Sequence, residues 1–188
     1  SVETMRHAEL GEYNAKRVAN IDLAAKTLSR IYEDLVFLTF GMKKEGEISS
    51  IDLKSLVASR CEYFAPFIQK RRLSLKTDLS DASMNANVYE ISRLIDNLLS
   101  NAVKYANAGG YVDVRLRRGE LAISNSGEGL SKEQQDKIFE RYTRFNEDQG
   151  GFGIGLNLVK RACENNAIAV TCESEPGKEI TFTLRWKS

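Results

Sequence analysis

The segment from Asn87 to Ala106, with LIDNLLSNAVKY at its centre, limits what this chain can fold into more than any other. Ile91, Leu94, Ile95, Leu98 and Ala102 recur in steps of three and four, which gathers them on one face of an α-helix. Such a face must be buried, so the segment predicts a core helix with another layer packed against it. Asn97, Asn101, Lys104 and Tyr105 then form a polar stripe, roughly 100° wide, along the shoulder of that helix. Asn is a poor helix former, because its carboxamide offers the backbone competing hydrogen bonds. Two Asn in a helix interior are either polar positions tolerated by burial elsewhere or part of a ligand site, and spacing alone leaves both readings open.

At 188 residues and 42% hydrophobic content, the chain has enough apolar surface for one main domain and a small appendage. Its 27 basic and 26 acidic residues nearly cancel, which leaves no chain-wide electrostatic footprint for nucleic acid or an anionic membrane. Any anionic ligand must therefore be held locally. No apolar run approaches the ~20 residues of a membrane span, and no signal peptide is expected. Cys61, Cys163 and Cys172 form no Cys-x-x-Cys pair and His7 is the only histidine, a poor basis for a zinc site or a disulfide framework.

Between Glu12 and Gly41, Val18, Ile21, Ala25, Leu28, Tyr32, Leu35 and Thr39 recur in steps of three and four without an intervening Pro or Gly. This predicts a long helix with a coiled-coil-like seam, which needs a partner helix or its own domain to cover it. Met42 to Glu47, between Gly41 and Gly46, reads as helix stop and linker. Further helices are expected over Ile51–Lys70, running past Pro66, and over Asn87–Ala106, Ser131–Phe139 and Leu156–Asn165. Ser131 and Gln134 match a capping box. Strands are expected at Arg72–Leu79, at Tyr111–Arg117 and Glu120–Asn125 as a hairpin through Arg118 and Gly119, and at Ala167–Ser174 and Glu179–Trp186 around a turn at Pro176 and Gly177. Helices with largely antiparallel strands give an α+β class, a two-layer α/β sandwich preceded by one long helix.

Two glycine clusters stand out. Asn125, Ser126, Gly127, Glu128 and Gly129 follow a strand, whereas Gly150, Gly151, Phe152, Gly153, Ile154 and Gly155 open a helix. Glycines at a helix start let the backbone approach a ligand, and free amides with the helix dipole favour phosphate. The second cluster lacks both the dinucleotide-binding spacing and a Walker Gly-Lys-Ser/Thr. Taken singly, each cluster reads as a turn more readily than as a nucleotide site.

Taken in order, the Asn stripe, the strand ending in Asn-Ser-Gly-Glu-Gly, the run IFERYTRF (Ile138 to Phe145) and Gly-Gly-Phe-Gly-Ile-Gly-Leu resemble the ATP-binding catalytic domain of sensor histidine kinases, within the GHKL ATPases. The resemblance covers about Ile48 to Trp186. It implies residues 46–188 as a catalytic ATP-binding domain and residues 1–45 as the second helix of a dimerisation domain whose phosphoacceptor helix is missing. Topoisomerases and MutL of the same superfamily carry a catalytic Glu where Asn97 stands, so the resemblance implies transfer to protein rather than hydrolysis.

By the same resemblance, Asn101 is the Mg²⁺ ligand and Asn97 lies beside the phosphate-metal cluster. Lys104 contacts phosphate and Tyr105 lies along the nucleotide. Gly127 and Gly129 let their loop pass close to the adenine, Gly151, Gly153 and Gly155 form the hinge and floor of a lid, and Leu156 is a further cofactor-binding residue. Arg141 and Arg144 fall in the aromatic-and-basic box, where an arginine stabilises transferring phosphate. Asn97, Lys104 and Arg144 are the expected catalytic residues; Phe139, Tyr142 and Phe145 are expected to anchor the core. The implied cofactors are ATP and Mg²⁺. A homodimer in the full-length protein and a response regulator are the implied partners, without nucleic acid. The implied location is cytoplasmic, with membrane attachment only through missing segments of an inner-membrane parent.

The chain departs from the family in three places. The adenine-reading Asp is replaced by Asn125, whose carboxamide has both an acceptor and a donor, and weaker discrimination against guanine is expected. Only Asn146 to Gln149 separate Phe145 from Gly150, so a short lid and fast nucleotide exchange are expected. His7 lacks the proline that follows a phosphoacceptor histidine, so the chain alone is not expected to phosphorylate itself. Two other functions remain: a nucleotide-binding scaffold without kinase activity, and another GHKL ATPase or Ser kinase.

Overall fold

The computed structural model describes residues 14, 17, 18, 21, 48–140 and 154–187. Asn14, Arg17, Val18 and Ile21 are helical and exposed. The rest of the expected long helix, the Met42–Glu47 linker and the IFERYTRF run beyond Glu140 lie outside the described residues, as does the glycine cluster up to Gly153. The folded unit described below lies within Lys44–Ser188.

The order of elements is β1 (Ser49–Asp52), α1 (Leu53–Lys70), β2 (Ser74–Leu79), β3 (Ser83–Ala86), α2 (Val88–Tyr105), β4 (Tyr111–Arg117), β5 (Glu120–Ser126), α3 (Lys132–Lys137), α4 (Gly155–Asn165), β6 (Ala169–Glu175) and β7 (Glu179–Arg185). Five strands form one sheet in the order β2-β4-β5-β7-β6, and β1 pairs with β3 in a separate two-stranded ribbon. Within the large sheet only β2 and β4 run parallel, because their connection crosses over through β3 and α2; all other pairs are antiparallel.

Helices α1, α2 and α4 contribute to one apolar core with the inward residues of the sheet, among them Val112, Val114, Leu116, Ile123, Phe182 and Leu184. The opposite sheet face carries the alternate residues, Arg115, Ser124, Thr181 and Thr183 among them; it is more polar, though Ser124 and Thr183 are buried. The architecture is thus the expected α+β sandwich.

Local signals account for most element ends. Asn87 caps α2, its Oδ1 accepting from the amides of Tyr89 at 3.0 Å and Glu90 at 3.3 Å. Eight residues of α2 are buried, from Glu90 and Ile91 through Leu98 and Leu99 to Ala102 and Val103. Ser131 and Gln134 form the expected capping box of α3 in both directions. Helix α1 continues past Pro66, which is exposed, so the carbonyl that loses its amide partner stays open to water. The expected helix start at Ile51 is corrected: Ser49–Asp52 is a strand, Ile51 is buried opposite Met84, and Asp52 ends the strand by capping α1.

Candidate functional site

The site is built where the middle of α2 meets the start of α4. Asn97 donates its Nδ2 to the Arg93 carbonyl one turn back, at 2.9 Å. That bond turns Oδ1 toward the first residue of α4, where a Cβ on Gly155 would stand only 2.9 Å from it. A side chain at 155 would therefore have to displace the Asn97 carboxamide or the start of α4. Among the described residues no side chain caps the start of α4 after Ile154, and its first amides have no side-chain acceptor there. Asn101, one turn beyond Asn97, is half-buried and makes no side-chain hydrogen bond to another described residue.

At the end of the same stripe Lys104 folds over Tyr105, with Nζ 3.0 Å from the phenol oxygen and 4.6 Å from the ring centroid. The loop after β5 returns to this end of α2: a Cβ on Gly127 would lie 3.3 Å from both the Tyr105 carbonyl and Asn125 Nδ2. Asn125 is 2% exposed, on the helix-facing side of β5 between Val112 and Ile180. The fold thus brings Asn97 to Gly155, and Tyr105 to Asn125 and Gly127.

Gly129 and Leu156 have packing partners within the protein. Gly129, at φ +78°, packs on the β6–β7 turn, where a Cβ would stand 2.6 Å from the Glu175 carbonyl. Two backbone bonds, Gly177 N–H to the Glu128 carbonyl at 2.7 Å and Gly127 N–H to the Lys178 carbonyl at 3.3 Å, hold the loop on that turn. Gly129 is thus explained by packing inside the protein. Leu156 is half-buried and packs against the core. Phe139 meets Phe182 edge-on at 6.1 Å, the anchoring role expected of it. Arg141, Arg144, Gly151 and Gly153, with Tyr142 and Phe145, lie outside the described residues.

Sequence reasoning missed the groups that support the site. Arg71, just after α1, donates to the carbonyls of Val103, Lys104 and Ala106, and so closes the C-terminal end of α2 beneath Lys104 and Tyr105. At the other end of α2, the buried carboxylate of Glu90 accepts from Asn165 Nδ2 at 2.9 Å and Asn166 Nδ2 at 2.6 Å, binding α2 to the end of α4. The Asn165-Asn166 pair was the only available signal for the second of these.

The described residues contain no group of three or more His, Cys, Asp or Glu able to hold a metal ion. A polar trough of ≈ 620 Å³ lies on the outer sheet face, bordered by Arg115 and Glu173 over Ala122 and Thr183, on the side of the sheet opposite Asn125.

Residues 86–188 match the family model of the histidine kinase-, DNA gyrase B-, and HSP90-like ATPase. The chain is 34% identical over 150 residues to the alginate biosynthesis sensor protein KinB of Pseudomonas aeruginosa, covering 77% of this chain and 25% of that protein. It is 31% identical over 180 residues to the sensor histidine kinase RppB of Synechocystis sp., covering 88% of this chain and 39% of that one. The chain therefore spans only a quarter to two fifths of these curated relatives. Among solved structures, full-length ShkA in complex with AMPPNP aligns with a TM-score of 0.73 at 20% identity, over 86% of this chain and 36% of that one, a likeness of fold. None of the described helices is long and apolar enough to cross a membrane. The chain belongs to the histidine kinase-, DNA gyrase B- and HSP90-like ATPases, and within them it carries the ATP-binding catalytic domain of the sensor histidine kinases.

Proposed function

We propose that this chain is the catalytic part of a two-component sensor kinase, which binds ATP with Mg²⁺ and transfers the γ-phosphoryl to a histidine that the chain itself does not supply. The observation that carries this reading is the apposition of Asn97 Oδ1 and Gly155, which sets a carboxamide stripe against a helix start that no described side chain caps. Phosphate oxygens suit the amides of that first turn, and a hard cation beside them suits carboxamide oxygen.

Asn101 is the residue to hold Mg²⁺. Its carboxamide is uncommitted among the described residues, and a single protein oxygen is enough for an ion that keeps waters and binds phosphate oxygens. When bound, the ion neutralises charge on the phosphates. Asn97 keeps its Oδ1 turned toward the same space because Nδ2 is held by Arg93. Lys104 contributes positive charge and Tyr105 a flat ring at the end of the stripe. Arg141, Arg144, Gly151 and Gly153 belong to this proposal through the family motifs. So do the division into a dimerisation helix over residues 1–45 and a catalytic domain over 46–188, the homodimer, the response regulator and the cytoplasmic location. The carboxylate next to Asn97 in sequence, Asp96, is held by Arg60 through hydrogen bonds of 2.5 and 2.6 Å, and the reading is phosphoryl transfer by positioning and charge stabilisation.

The test is to incubate the chain with γ-labelled ATP, Mg²⁺ and a separate helical hairpin bearing a phosphoacceptor histidine. Acid-labile label is expected on the hairpin and not on His7, and Asn101→Ala should remove it. ATP binding without transfer to any acceptor hairpin would favour a nucleotide-binding scaffold instead.

A further inference from the structure

We propose that the outer shoulder of α1 is a docking face for an anionic phospholipid surface, built from Tyr63, Phe67 and the cations that close the helix, Lys70, Arg71 and Arg72. The proposal is independent of the ATP-site reading. It departs from the expectation that membrane contact comes only through segments outside the chain, because this face belongs to the folded unit itself.

Tyr63 is 57% exposed and Phe67 49%. Four positions apart on one helix, they stand one turn apart on the same side, so their open surfaces join into one apolar patch. Phe64, buried beneath them, meets their rings at centroid distances of 5.3 and 5.9 Å, and the two exposed rings meet each other at 6.1 Å. A core residue thus holds both rings in place, and little side-chain freedom remains to be lost on contact. The nucleotide site does not use them. Helix α1 lies on the flank of α2 that carries Asp96, which Arg60 binds, while Asn97 turns to α4 on the other flank.

The cations follow along the same shoulder. Seven positions beyond Tyr63, Lys70 lies about 20° from it around the helix axis. Arg71 and Arg72 come next, and Arg71 brings the group beside a fourth cation by donating to the Lys104 carbonyl. All three are exposed, and neither Lys70 nor Arg72 is bonded through its side chain to a described residue. From Tyr63 to Thr77 the chain contains no Asp or Glu. Glu62 points about 100° away from Tyr63 around α1, and Asp96 is paired with Arg60. The shoulder is therefore apolar along its length and positive at one end.

That combination fits a bilayer interface. Aromatic rings settle at the level of the headgroups, and Lys and Arg beside them meet the negative potential of anionic lipids. Single-stranded nucleic acid also combines with cations and rings, but it needs open ring faces on which bases stack. Here the Arg60 guanidinium already lies over the Tyr63 ring, 4.8 Å from its centroid. Phe67 is tilted by 46° and 50° against Tyr63 and Phe64, so the rings form no parallel platform.

The experiment is co-sedimentation of the full chain with vesicles of phosphatidylcholine containing about 30% phosphatidylserine, set against vesicles of phosphatidylcholine alone. Binding to the anionic vesicles is expected to be at least about tenfold stronger. Lys70→Glu combined with Arg72→Asn should weaken it by about tenfold or more. Asn suits the positive φ of 55° at position 72. Phe67→Ser should weaken binding by about threefold to tenfold, the share of a half-exposed ring. Equal binding to both kinds of vesicle, or binding to neither, overturns the proposal. So does binding that survives the loss of the two cations. Binding lost with the cations but untouched by Phe67→Ser is adsorption by charge alone and overturns the docking face. Soluble poly-glutamate bound as tightly as the anionic vesicles would make the partner an acidic protein surface, and the lipid assignment falls. The contrast between the two vesicles in the unaltered chain decides the matter even if a variant does not fold.

Discussion

Asn97 Oδ1 stands 2.9 Å from the point where a side chain on Gly155 would begin, so two residues 58 positions apart leave no room for a methyl group between α2 and α4. Asn97 does not yield freely, because Nδ2 is bonded to the Arg93 carbonyl. Gly155→Ala must therefore displace the carboxamide or the first turn of α4. ATP affinity is expected to fall by about tenfold to a hundredfold, the scale of misplacing a binding group by less than an ångström. Thermal stability should change by no more than about 1 kcal/mol, because the helix preference for Ala over Gly offsets part of that displacement. Calorimetry and thermal melting on the same sample check the two halves; parallel loss of both would make Gly155 a packing residue only.

Glu90 holds the far end of the same helix pair. Removing its carboxylate takes an acceptor from Asn165, which is exposed, and from half-buried Asn166, whose Nδ2 keeps the Ala162 carbonyl at 2.9 Å. Glu90→Ala should lower unfolding stability by about 1–2 kcal/mol in urea titration, since water replaces part of what is lost. Glu90→Gln should cost less, because Asn165 can turn over to accept from the new amide. Asn166 cannot do so without loss, for its Oδ1 already accepts from the Asn87 backbone.

The helix carrying the Asn stripe, the β4–β5 hairpin and the capping box were legible because each rests on residues close in sequence. Two strand starts were read two residues early, at Arg72 and Ala167, for a common reason. Each has positive φ, 55° and 53°, and each closes a helix without glycine. Leu73 N–H then bonds back to the Ile68 carbonyl at 3.0 Å, and Ile168 N–H to that of Cys163 at 2.9 Å. Without a glycine to mark the turn, β-branched and apolar residues downstream pulled the strand reading backward. The β1–β3 ribbon was missed because four residues a side give too little alternation to read. At the site, glycine spacing revealed which loops matter. It could not tell a glycine facing an asparagine, as at 155, from one facing another turn, as at 129, because that difference is made by partners distant in sequence.

Acid should weaken the fold through three surface carboxylates. The hydrogen bond from the Ser55 hydroxyl holds Asp52 below its ordinary 3.8. Arg117 does the same for Asp78, also from 3.8, and Lys178 for Glu175 from 4.5. A carboxyl depressed in the folded state stabilises it above the unfolded value, and that contribution is lost as pH falls through the folded value. Stability should therefore be level above about pH 5 and decline below pH 4. Urea midpoints taken at steps down to about pH 2.5 measure it. Asp52→Asn keeps the helix cap while removing the charge, so its decline should be shallower than that of the unaltered chain. An identical slope would exclude Asp52 as a contributor.

Arg71 offers the sharpest separation of support from contact. Its guanidinium donates to the carbonyls of Val103, Lys104 and Ala106, which are among the last of α2 and have no further helical turn to bond them. Cation and helix C-terminus also attract through the dipole. Arg71→Ala leaves those carbonyls to water, and the last turn, with Lys104 and Tyr105 on it, should fray. The loss expected is about 1–2 kcal/mol of stability, since part of each hydrogen bond is recovered from solvent. Amide hydrogen exchange should quicken at Lys104, Tyr105 and Ala106 while the amides of Leu94 to Leu98 keep their protection. ATP affinity should weaken with the fraying, and Arg71→Lys should restore little of it, because a single ammonium does not reproduce the planar fork that reaches three carbonyls at once. If exchange at the end of α2 is unchanged in Arg71→Ala, the cap is a surface contact and the placement of Lys104 and Tyr105 does not depend on it.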